Sequence, residues 1–192
     1  MNGGRLAALA LCGAVACAPV YSRTVTPVPG ATPASRAAPG GGGEAGSGLA
    51  AILGHLVWPL AMDGVEVMSS RYGPREHPQA GARRFHRGLD LRADQGTPVY
   101  AVADGTVARS GRGGAYGNLV ILEHGEGLES LYAHHSRNLV ETGERIRRGQ
   151  VIALVGRTGN ATGDHLHFEL RWRGGTVDPW TVLPALDGVR GR

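Results

Sequence analysis

Lysine is absent from this chain, cysteine occurs twice, and aromatic residues make up only 5% of it, two of them Phe. Both cysteines, Cys12 and Cys17, fall within the first 17 of 192 residues. The remainder therefore has no internal disulfide, and its stability has to come from core packing and any bound metal. A thiolate zinc site is excluded there as well, so a metal would have to use His, Asp or Glu. Beyond the first 17 residues no stretch is apolar enough for a transmembrane helix. Arg supplies every basic side chain, with a formal net charge of +4. In an exported protein that balance favours anionic wall polymers or membrane surfaces, although biased codon usage also produces Arg-, Gly- and Ala-rich chains. Because no Arg stripe is interleaved with aromatics, nothing points to nucleic-acid binding. Internal repeats, coiled-coil heptads and wall-binding repeat modules are missing too.

What is present begins with a leader. Residues 1–17 carry one basic residue, Arg5, then an apolar run from Leu6 to Ala16 with small residues at its end. That is the layout of an export signal. Ala14-Val15-Ala16-Cys17 is similar to a lipobox, in which Cys17 becomes an acylated first residue anchored in a membrane. It also fits an ordinary A-x-A cleavage site. Residues 18–47 are rich in Pro, Gly, Ala, Ser and Thr and end near a run of four glycines. Such a segment buries too little apolar surface to fold and reads as a flexible tether. A coil of ~30 residues spans roughly 30 Å on average and about 100 Å when taut.

The folded domain is expected over residues 48–192, with its core at about 57–182. Gly48 to Leu56 reads as a short helix, and strand signals dominate the rest. Thr97 to Val102 and Gly105 to Arg109 flank a turn at Ala103-Asp104. Asn118 to His124 and Leu128 to His134 flank Gly125-Glu126-Gly127 as a hairpin. Gln150 to Val155 is a further apolar strand. His165 to Trp172 alternates, with His165, His167, Glu169 and Arg171 on one face and Leu166, Phe168, Leu170 and Trp172 on the other. The expected fold is a mostly antiparallel β domain with little helix.

Histidines carry the chemical signal. His165 and His167 are two apart on a strand, so both rings enter one space. His86-Arg87-Gly88-Leu89-Asp90 offers an imidazole and a carboxylate four apart in an extended or irregular segment. Two imidazoles and one carboxylate are enough for a catalytic zinc site with an open fourth position. A third cluster, Tyr132-Ala133-His134-His135-Ser136, lies between them. Spacing alone does not choose between His134 and His135, nor among His86, His134, His165 and His167 as ligands.

Several segments, in this order, resemble the lysostaphin/LytM-type zinc endopeptidases, bacterial enzymes that cut peptide bonds in peptidoglycan. They are Ser70-Arg71-Tyr72-Gly73-Pro74-Arg75, His86-Arg87-Gly88-Leu89-Asp90, Gly117-Asn118-Leu119-Val120, Tyr132-Ala133-His134, the run from Gly156 to Glu169, and Val177-Asp178-Pro179. The resemblance covers roughly residues 57–182 and implies a duplicated-hybrid-motif-like β domain. It implies one zinc ion held by His86, Asp90 and His167, with His134 and His165 beside it as catalytic groups. It implies peptidoglycan peptides as substrate and a place in the bacterial cell envelope. A non-catalytic relative that activates a cell-wall amidase is the alternative, and the presence of all five polar positions favours catalysis. Glu169 is expected to fix an imidazole tautomer rather than act as the base. Arg71 and Arg75 are expected to be solvated or structural, with contact to substrate carboxylates as the other reading. His124 is expected to be structural, and His55 and His77 to be exposed and unrelated.

Overall fold

A computed structural model describes residues 45–62, 70–76 and 83–185. The leader, His77 and nearly all of the tether lie outside these residues. A short helix, α1 (Ala45–Leu53), opens the described part. It starts three residues before the expected Gly48, inside the stretch read as tether, and gives way to a turn at Gly54 and His55. Twelve strands follow: β1 (Gly73–Glu76), β2 (Arg83–His86), β3 (Leu89–Arg92), β4 (Pro98–Tyr100), β5 (Gly105–Arg112), β6 (Asn118–Glu123), β7 (Leu128–His135), β8 (Arg137–Asn138), β9 (Arg145–Ile146), β10 (Val151–Leu154), β11 (His165–Trp172) and β12 (Gly175–Val177). Two 3-10 turns lie at Gly114–Tyr116 and Pro179–Thr181.

Every strand pairing is antiparallel. The large sheet runs β12-β11-β7-β6-β5-β9, with β3 also paired to β11. A small sheet runs β4-β10-β8, and β1 and β2 form a separate two-stranded ribbon. The Ala103-Asp104 turn is therefore not a hairpin, because β4 and β5 on either side of it join different sheets. By contrast, β6 and β7 pair as expected across Gly125-Glu126-Gly127.

Alternation along the strands assigns the two faces of the large sheet. Leu89 and Leu91 of β3, Tyr132 of β7, and Leu166, Phe168 and Leu170 of β11 are buried in the main core. There they share one apolar cluster with Val99, Ile152 and Ala153 of the small sheet. The Tyr132 hydroxyl, fully buried, accepts from Val102 N at 2.9 Å. The opposite face of the large sheet carries a smaller cluster of Leu119, Leu131 and Ala133, edged by Tyr116 and Ile121. On this second face the period of two places Asp90 and His167.

Candidate metal centre

The register between β3 and β11 sets His167 directly opposite Asp90, and Arg92 opposite His165. Side chains facing each other across an antiparallel pair start about 5 Å apart at Cβ, close enough for a short imidazole and carboxylate to meet. His167 Nδ1 lies 2.7 Å from Asp90 Oδ1. His86 ends β2, and the chain runs on through Arg87 and Gly88 into β3 in the same direction, since Gly73 pairs with His86 and Ser70 bridges Asp90, both antiparallel. His86 Nε2 is 3.1 Å from the same Oδ1 and 3.2 Å from His167 Nδ1. Gly88 permits the close approach of this segment to β11, since a Cβ there would collide with the carbonyl oxygen of Phe168 and lie 2.9 Å from Glu169 Cγ.

The outer nitrogens show what the three converging atoms want. His86 Nδ1 donates to the Arg71 carbonyl at 2.7 Å, and His167 Nε2 donates to Glu169 Oε1 at 3.0 Å. Those bonds put the hydrogen of each neutral ring on its outer side. Two nitrogen lone pairs and a carboxylate oxygen then point at one another, and only a proton or a cation reconciles them. His86, Asp90 and His167 offer ligand atoms that all lie within 4.8 Å of one another. The donor set therefore fits a metal ion with nitrogen and oxygen preference such as zinc. Burial would raise the Asp90 carboxyl, but the adjoining His167 and His86 rings, which donate to it when protonated, outweigh burial and hold the group well below the ordinary carboxylate range. For His167, burial disfavours the cation, yet the bonds to Asp90 and Glu169 prevail and push its pKa up. The first direction keeps Asp90 anionic, and the second favours positive charge beside it.

Glu169 is fully buried and fully engaged. Besides His167 it accepts from the Tyr116 hydroxyl at 2.6 Å and, at Oε2, from Arg171 Nε and Nη2 at 2.9 and 2.6 Å. Burial works to raise its pKa, and those three partners lower it to about 2. A carboxylate so held is an orienting group rather than a base, in line with the tautomer-fixing role expected for it. Tyr116 was not singled out in the sequence, because a tyrosine in a Gly-rich turn gives no sign of its distant acceptor.

Two more imidazoles stand beside this centre. The His134 ring centroid is 4.7 Å from that of His165 and 5.8 Å from that of His167. His134 Nδ1 donates to the Thr158 carbonyl at 2.8 Å and His165 Nδ1 to the Gly163 carbonyl at 2.9 Å. Each neutral ring thus keeps a lone pair on Nε2, and that of His165 is 3.8 Å from Asp90 Oδ1. Burial depresses the His134 pKa, the Thr158 bond opposing and His165 and His167 reinforcing, so this ring is held neutral. His134 also has a φ of 67°, a conformation uncommon for a non-glycine residue that collects at functional sites.

The other described histidines lie elsewhere. His135 is completely buried and bonds Asn138 Oδ1 at 2.9 Å. His124 bridges the Asp104 carbonyl and Ser130 Oγ, each at 2.7 Å, which is a structural placement. His55 is exposed and bonds the Ala51 carbonyl of α1. Arg71 lies over the Trp180 ring at 5.6 Å, while Arg75 contacts Asp90 directly at 3.0 Å.

Comparison with known proteins gives this geometry a family. The model of peptidase family M23 matches residues 84–179. Over 115 residues, 60% of this chain, the sequence is 48% identical to the DD-carboxypeptidase/endopeptidase Mpg of Neisseria meningitidis. Over 127 residues, 65% of this chain, it is 41% identical to the peptidoglycan DD-endopeptidase ShyC of Vibrio cholerae. These matches span only 26% and 29% of the two relatives. Among solved structures, a zinc-containing peptidase from Vibrio cholerae superposes with a TM-score of 0.62 at 36% identity, covering 65% of this chain and 39% of that one. With half of its length matched by the family model and its polar centre folded as described, the chain belongs to peptidase family M23.

Proposed function

We propose that this chain is a zinc-dependent endopeptidase that hydrolyses peptide cross-links of bacterial peptidoglycan. One observation carries the reading: two imidazole nitrogens and a carboxylate oxygen converge with their lone pairs facing, and two further imidazoles anchored through Nδ1 stand alongside. His86, Asp90 and His167 would hold the ion. When bound, it supplies Lewis acidity, polarising a scissile carbonyl and acidifying water at its open position.

The protein's own groups do the rest. Glu169 and the Arg71 carbonyl orient the two ligand rings. His134, kept neutral by burial, accepts a proton at Nε2. His165 Nε2 lies on the Asp90 side of the centre, and the proton that either ring takes up at Nε2 from the attacking water is the one it hands to the departing amine. The two histidines carry these roles jointly. The names of the relatives, a peptidoglycan endopeptidase among them, support the substrate class, and the zinc-containing neighbour supports the metal. An exported location in the cell envelope, with Cys17 acylated, accords with the leader and with a wall substrate.

The decisive experiment is mass spectrometry of purified peptidoglycan after digestion with the zinc-loaded chain. New amino termini within the peptide cross-links are expected. Intact cross-links, with stimulation of a separate amidase instead, would replace this reading by the regulatory one.

A further inference from the structure

The two oxygens of Asp90 have separate neighbours. Oδ1 receives every contact from the metal side: His167 Nδ1 at 2.7 Å, His86 Nε2 at 3.1 Å and His165 Nε2 at 3.8 Å. Oδ2 is engaged by Arg75 Nη2 at 3.0 Å. The placement follows from the ribbon. Gly73 of β1 pairs with His86 of β2, so Arg75, two residues beyond Gly73, shares the face that His86 turns toward Asp90. The backbone is tied at the same point, because Asp90 N donates to the Ser70 carbonyl at 3.0 Å.

A carboxylate can bind a cation through one oxygen or both. A three-ligand catalytic site works with an open position, and a second oxygen from Asp90 would occupy it. Arg75 stands in the way of that outcome. Its guanidinium holds Oδ2 by a charge-assisted hydrogen bond and draws carboxylate charge away from the ion. We propose that Arg75 is a positioning residue that keeps Asp90 a one-oxygen ligand and so keeps the fourth position of the centre open. The proposal rests on the zinc reading of the site.

The test replaces Arg75 in the full chain by Gln and, separately, by Lys, and loads each protein with cobalt(II) in place of zinc. Visible absorption of cobalt weakens as its coordination number rises. In Arg75→Gln, Oδ2 is released, so the cobalt bands should weaken while the ion stays bound. With zinc restored, kcat on cross-linked peptide should fall about 10- to 100-fold, the usual cost of losing a partner of a metal ligand, and KM should hardly change. Arg75→Lys keeps a single donor for Oδ2 and should recover much of both signals. Identical cobalt spectra and kcat in wild type and Arg75→Gln would overturn the proposal while leaving the zinc reading standing. So would a lowered melting temperature with an unaltered cobalt spectrum, which is the mark of a merely structural ion pair. A wild-type chain that binds neither cobalt nor zinc would end both.

Discussion

Single side chains divide into those that face the converging lone pairs and those that hold them in place. His86→Ala, Asp90→Ala and His167→Ala each remove one of three protein contacts and should each lower zinc occupancy, measured by metal analysis after dialysis. Unchanged occupancy in all three would refute the ligand set. His134→Ala should behave differently: zinc is retained and turnover is lost by about 10²–10⁴-fold, the usual contribution of a positioned acid–base group. His135, its neighbour in sequence, belongs to the core. Burial pushes its pKa down to about 4, the Asn138 bond opposing and the nearby His134 adding to it. In the unfolded chain an imidazole titrates near 6.5. Between these values the unfolded state binds more protons, so stability is whole above pH 6.5 and is lost as pH falls toward 4, by up to roughly 3 kcal/mol. Urea unfolding of metal-free protein at pH 7.5 and 4.5 should show most of that loss in wild type. His135→Leu, which removes the titrating ring, should show a smaller drop, and equal drops in both would discount His135 as the source.

At the level of elements, legibility followed apolar alternation. β11 occupies His165–Trp172, the bounds its alternating residues indicated, and Leu166, Phe168 and Leu170 of its apolar face enter the core while Trp172 at its end is exposed. β6 and β7 were equally plain, since each buries a stripe on both faces of the large sheet. β1, β2 and β3 were not assigned as strands, because each is only four residues long and interrupted by Arg, with Gly and Pro in β1 as well. Their pairing is written in distant partners: β3 is a strand because β11 accepts it, and β2 because β1 does. For the same reason spacing left four candidate histidines open, and what brings His167 against Asp90 is cross-strand register. The junction of β2 and β3 gives this a test. Gly88→Ala forces a methyl group against the Phe168 carbonyl on the strand that bears His167. Overpacking of this kind costs about 1–3 kcal/mol, and relief requires β2 or β11 to shift. Gly88→Ala should therefore lower both the melting temperature and zinc affinity, read by calorimetry and chelator competition. A stable variant with native zinc affinity would show that the close approach is not needed.

Across the whole molecule, the candidate centre joins parts that the sheets leave separate. His167 and Asp90 belong to the large sheet, while His86 comes from the ribbon of β1 and β2, which hydrogen-bonds as a sheet of its own. Besides the chain itself at Arg87 and Gly88 and the His86 contacts with Asp90 and His167, the ribbon and the segment leading into it touch the large sheet through the Ser70–Asp90 bridge, the Arg75–Asp90 pair and the Tyr72 hydroxyl on Thr176. These are polar links at a partly exposed edge, each individually weak. A cation gripped by His86 on one side and by Asp90 and His167 on the other would be a far firmer tie, and its binding free energy would appear as stability of the native state. At a free zinc concentration a hundred times Kd the gain is about 2.7 kcal/mol, which for a domain of this size raises Tm by roughly 5–10 °C. The gain should also be uneven. The sandwich between the two sheets rests on an apolar cluster to which no described residue of the ribbon belongs, so the ribbon should open first. Hydrogen exchange with and without chelator tests this. Zinc should slow exchange of the amides at 83–86 strongly and those of β6 little. Equal protection of both, or a Tm indifferent to zinc, would mean that the ribbon is held without the ion, and the link between metal binding and the closing of this edge would fall.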